Sequence, residues 1–83
     1  MTPAQCRAAR ALIGWSQDKL AEKTDVAKRS IAAFESQARQ PYPRTIRDLR
    51  AALEAAGVEF IEENGGGAGV RLARPSGPTS ASE

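Results

Sequence analysis

QDKLAEKTDVAKRSIAAFES, residues 17–36, decides how this chain folds. Leu20 and Ala21 lie in a short helical segment, Thr24-Asp25-Val26 interrupts it, and Ile31 and Phe34 then recur at helical spacing. Two helices crossing steeply through a turn of roughly three to four residues need close backbone approach, and Ala21 is small enough to permit it. Val26, Ile31 and Phe34 would lock the second helix against the first. Ala27, Lys28, Arg29 and Ser30 then remain outward at its start, and in a helix-turn-helix such positions reach base edges in the major groove.

The flanks extend this pattern. Ser16 is the N-cap of a helix running to about Lys23, and the next helix runs from about Ala27 to Glu35. Upstream, Thr2-Pro3-Ala4-Gln5 forms a capping box with proline at the first helical position. Cys6, Ala9 and Ile13 follow at helical spacing until Gly14 stops the segment. Downstream, the prolines at 41 and 43 make SQARQPYP a loop, and Pro43 opens a fourth helix. Its apolar stripe is Ile46, Leu49, Ala52, Leu53 and Ala56, with Gly57 as the stop. The period then changes: VEFIE (58–62) and VRLA (70–73) are strand-like, and ENGGGAG between them contains the Asn64-Gly65 hairpin signal. The expected fold is mainly α, four short helices with a C-terminal β-hairpin. Residues 1–57 form the helix-turn-helix domain, 58–73 the hairpin and 74–83 a flexible tail of Pro/Gly/Ser/Thr-rich composition.

Composition narrows the chemistry. A chain of 83 residues builds only a marginal core, so self-association would help it. With no histidine and only Cys6 for a cysteine, an internal disulfide is impossible and a Cys/His zinc site is effectively excluded. Cysteine usage suits a reducing cytoplasm, and MTPAQCRAARA resembles neither a secretion signal nor a membrane span. Residues 1–50 carry a net charge of +5 and residues 51–83 a net of −3. Such an imbalance fits either a face meeting a polyanion or a solubilising surface. No nucleophile–base pair supports catalysis. GGGAG is followed by no Gly-Lys-Ser/Thr and no helix, so it is a turn and not a phosphate loop. Cys6 belongs to the apolar stripe of its helix, Trp15 bridges the first two helices, Arg47 and Arg50 lie on a solvated face, and Glu59, Glu62 and Glu63 keep a strand edge soluble.

GWSQDKLAEKTDVAKRSIAAFE (14–35), followed by PRTIRDLRAALEAAGVEF (43–60), resembles the small phage-repressor and Cro-like helix-turn-helix regulators, the xenobiotic-response-element family. The resemblance spans about residues 3–62. It implies a compact repressor-like domain and a sequence-specific transcriptional regulator, repressor or activator. Lys28, Arg29 and Ser30 match the start of the recognition helix, with Ala33 one turn later on the same face. Ser16 and Gln17 match the phosphate-binding start of the second helix, and Ser36, Arg39 and Arg44 fall in the phosphate-contacting loop. Arg10 and Glu35 match an ion pair between the first and third helices. Two departures stand out: Asp25 replaces the usual turn glycine, and Ala27 replaces the usual Ser/Thr cap.

A domain this small offers few contacts, so useful affinity implies a homodimer on an inverted-repeat operator. Pairing of the hairpin with its twin would involve Val58, Phe60, Ile61, Val70 and Leu72. The implied partners are double-stranded DNA, a second copy and RNA polymerase. No membrane, small-molecule ligand, metal or cofactor is expected. Two rival readings are an antitoxin that also neutralises a partner protein and an interaction module that kept the fold but lost DNA binding.

Overall fold

The computed structural model describes residues 1–73, so the expected tail lies outside the described residues. Thr2 starts α1 (Pro3–Ile13) as a reciprocal cap: its Oγ1 accepts the Gln5 N–H at 3.0 Å, and Gln5 Oε1 accepts the Thr2 N–H at 2.8 Å. Gly14, at φ 70°, ends the helix in the left-handed conformation that glycine adopts without a steric penalty. Ser16 Oγ accepts the Lys19 N–H at 3.0 Å and opens α2 (Gln17–Thr24).

Asp25 ends α2 at φ 63°, occupying the left-handed region where a glycine would sit with less strain. Val26 and Ala27 complete the elbow, and α3 (Lys28–Glu35) follows. The Val26 N–H is held by Thr24 Oγ1 at 3.2 Å, and the Thr24 hydroxyl itself donates to Leu20 O at 2.7 Å. The helix starts one residue later than the expected Ala27, which is its N-cap. At its far end Gln37 adopts φ 64°, with Gln37 N–H bonded to Phe34 O and Ala38 N–H to Ala33 O. That is the bond pattern of a Schellman stop, built here without glycine.

Pro43 is the first residue of α4 (Pro43–Ala55), and the chain then pairs β1 (Val58–Ile61) antiparallel with β2 (Gly69–Leu72). The register sets Val58 opposite Leu72 and Phe60 opposite Val70. Seven residues, 62–68, connect the strands, so the two-residue Asn64-Gly65 turn is not formed. A type I′ turn needs positive φ at both central residues, and Asn64 is not among the residues with positive φ.

One core serves all six elements. Cys6, Ala9, Leu20, Ile31, Phe34, Leu49 and Leu53 are joined in it by Val58 and Phe60 from β1. Burial of these side chains, with Val70 of β2 packed against them, is what holds such short helices in place, because isolated helices of this length are marginal in water. The hairpin packs on α1 and α4. This corrects part of the dimerisation expectation: Val58 is 2% exposed and Phe60 8%, so neither side chain is open to a second copy. The chain is too short to spare two large hydrophobes from its own core. Ile61 and Val70 are half-buried and Leu72 is exposed.

Candidate nucleic-acid interface

The surface of α3 is built from the inside out. Ile31 and Phe34 are buried on one side of the helix, which turns Lys28 and Arg29 outward and leaves Ser30 and Ala33 partly exposed. Arg29, Ser30 and Ala33 share one helical face, and with Ala38 and Arg39 from the following loop they line a concavity of about 330 Å³. A second concavity of about 370 Å³ continues from Ser30 and Arg39 to Gln40, Pro41, Tyr42 and Thr45. Lys28 stands apart from this wall, its Nζ paired with Asp18 Oδ1 at 3.2 Å. That pair is well exposed, so screening leaves it weak and Lys28 available for exchange onto another anion.

Glu35 fixes the orientation of this surface. It is 3% exposed, and both carboxylate oxygens are fully used. Arg10 donates from Nη2 to Oε1 at 2.6 Å and from Nε to Oε2 at 2.8 Å. Gln17 Nε2 donates to Oε1 at 2.9 Å, and the Cys6 thiol donates to Oε2 at 3.1 Å. Arg10 Nη1 reaches Trp15 O at 3.0 Å, while Arg7 donates to the Glu35 backbone carbonyl. Glu35 thereby ties α1, α2 and α3 together at one point. Burial alone would push its carboxyl up, but hydrogen bonds from Arg10, Gln17 and Cys6, with the Arg10 charge, hold it below the ordinary 4.5. The Cys6 thiol is pushed up to about 12, first by burial and then by its bond to Glu35. It stays protonated and serves as a donor.

The residues expected at phosphate are spread along the rim. Ser36 is exposed at the C-cap of α3, its hydroxyl donating to Ala33 O at 3.3 Å. Arg39 and Arg44 are exposed. Along with Arg29 and Arg47 they form no ion pair among the described residues. Gln17, which the resemblance assigns to phosphate, is partly buried and bonds Glu35. One amide hydrogen is committed to Glu35, leaving the second hydrogen and Oε1 for other partners.

Sequence reasoning did not assign Arg7 a place, and it saw Gln5 only as a cap. The Gln5 amide also donates to Ile61 O at 3.2 Å and Gly69 O at 2.9 Å, bridging the last pair of the hairpin. Arg50, on its solvent-facing side of α4, lies 4.9 Å over the Phe60 ring and makes exposed pairs with Glu54 and Glu62. The Arg50–Glu54 pair is an i,i+4 pair that the local sequence does offer, whereas the Gln5 contacts have partners more than fifty residues away that no local pattern signals.

None of the described helices is long and apolar enough to cross a membrane. No curated protein matches the chain significantly. A family model described as helix-turn-helix, of the Cro/C1 type, matches residues 7–60, which include the whole of α2, the elbow, α3 and α4. The chain therefore belongs to the Cro/C1-type helix-turn-helix family of DNA-binding regulators.

Proposed function

We propose that this regulator binds an inverted-repeat operator as a homodimer, with α3 in the major groove, and acts on transcription by occupancy. The observation that carries the reading is the outer face of α3. Arg29, Ser30 and Ala33 form a continuous wall with Arg39, and neither arginine has an ion-pair partner among the described residues.

Arg29 has the planar fork that bonds guanine O6 and N7 together, and Lys28 can exchange Asp18 for a base or phosphate. Ser30 and Ala33 complete the base-facing side. Ser16, the free hydrogen of Gln17, Ser36, Arg39 and Arg44 fix position on phosphate without reading sequence. A dimer would set two such helices about one DNA turn apart, ~34 Å. With Val58 and Phe60 committed to the core, Ile61, Val70, Leu72 and the strand edges are what the hairpin offers a second copy. Blocking or touching RNA polymerase at the bound site, in the cytoplasm, follows from a regulator that acts by occupancy.

The test is in vitro selection from a random duplex library, followed by binding of variants across a salt series. Lys28→Ala/Arg29→Ala should lose about ten- to a hundredfold in preference for the selected duplex over a scrambled one. Gln17→Ala should weaken both alike. Intact discrimination by the double variant would show that α3 does not read the sequence.

A further inference from the structure

Tyr42 occupies a position that stability does not explain. It is the N-cap of α4, where Ser, Thr, Asp or Asn would bond the open N–H groups, and its side chain makes no such bond. The residue is 82% exposed and is no part of the core, although aromatic side chains are the largest source of burial energy a small domain has. Both facts make it a costly choice for folding alone.

Its surroundings suggest what the ring is for. Tyr42 lines the 370 Å³ concavity with Gln40, Pro41 and Thr45, and Ser30 and Arg39 are common to that concavity and to the wall beside Arg29. The surface of α3 therefore continues without a break to Tyr42. From Ser36 to Arg47 the chain carries Arg39, Arg44 and Arg47 and no acidic residue. A hollow that sets an aromatic ring beside the Arg39 guanidinium complements a sugar–phosphate strand, with apolar deoxyribose faces alternating with anionic phosphates.

We infer that Tyr42 is a DNA-positioning residue: its ring packs on a deoxyribose of the backbone flanking the half-site while Arg39 takes the adjacent phosphate. This rests on the reading of α3 as the recognition helix and extends the footprint past it. An uncharged ring releases no counterions, so its contribution is independent of salt, unlike that of Arg39.

Tyr42→Ser and Tyr42→Ala separate binding from folding. Serine restores a capping side chain, so Tyr42→Ser should raise Tm by about 4 °C in the free protein. Both variants should bind the selected duplex and a scrambled duplex about five- to tenfold more weakly, as expected for losing the burial of one ring face. The slope of log K against log salt should stay at the wild-type value, whereas Arg39→Ala should reduce its magnitude by about one. Wild-type affinity in both Tyr42 variants overturns the inference while leaving DNA binding by α3 standing. Loss of preference for the selected duplex also overturns it, because Tyr42 would then be reading bases. Failure of the wild-type protein to select any duplex removes the recognition-helix reading and this one with it.

Discussion

Glu35 shows how one side chain can set the aim of a recognition helix. Its carboxylate takes four hydrogen bonds from α1 and α2 side chains while lying in the first layer beneath the α3 surface. A buried carboxylate facing an arginine is costly to break, because the remaining charge stays in a poorly hydrated site. We expect Glu35→Ala to destabilise the fold by about 3–5 kcal/mol in chemical denaturation, with Arg10 left uncompensated. The pH dependence has a definite sign. Because the native carboxyl lies below 4.5, its stabilisation is complete above that value and is lost as pH falls through the lowered native value. An acid titration of the wild-type protein should show this loss, and Glu35→Gln should remove that part of the profile. An unchanged profile in the glutamine variant would mean that other carboxylates govern acid unfolding. The Cys6 thiol, buried and held protonated, belongs to the same network.

At the scale of elements, α3 is poorly supported by its own sequence. Ala27 has the extended conformation of an N-cap but makes no side-chain bond, and no acidic residue lies in the first turn. Lys28 and Arg29 put two positive charges at the positive end of the helix macrodipole, which opposes them. These same features leave the N-terminus of α3 ready for an anion, so local stability and DNA attraction conflict there. Ala27→Ser should supply the missing cap and stabilise the domain by about 1 kcal/mol, seen as a Tm increase of about 4–8 °C. No increase in Tm would imply that the elbow geometry keeps the new hydroxyl from the N–H groups of the first turn. The elbow itself followed its local chemistry: Asp25 took the left-handed conformation, and Thr24 satisfied the Val26 N–H.

Over the whole molecule, the hairpin is part of the helical core. Val58 and Phe60 fill it, Gln5 bridges the strands to α1, and Arg50 stacks over Phe60 from α4. The proposed dimer must therefore use the outer side of the hairpin. We expect sedimentation equilibrium of the free protein at high micromolar concentration to detect a dimer. Ile61→Glu/Leu72→Glu should shift it to monomer with an unchanged far-UV spectrum. A wild-type protein that remains monomeric throughout would place any pairing on DNA or eliminate it.

The helices, their caps and the elbow were legible because each depends on partners a few residues away: Thr2 with Gln5, Ser16 with Lys19, and the Asp25 N–H with Ala21 O. Periodicity likewise identified Leu20, Ile31, Phe34, Leu49 and Leu53 as core, since only one face of each helix could be apolar. The hairpin's existence was visible in the change of period, but its turn was not. Asn64-Gly65 signals a tight turn only if the strands run up to it, and these strands stop at Ile61 and resume at Gly69. The boundaries and caps of the helices in residues 1–57, and the outward side of α3 that carries Lys28 and Arg29, were thus legible in the sequence through interactions within a turn or two, while the shared core holds those helices together. Tertiary structure alone decided the inward turn of Gln17, the reach of Gln5 to strands more than fifty residues away, the burial of Val58 and Phe60 in the helical core, and the exposure of Tyr42. Each of these depends on which buried polar group needs a donor and which face of an element meets the core, and both are properties of the assembled chain.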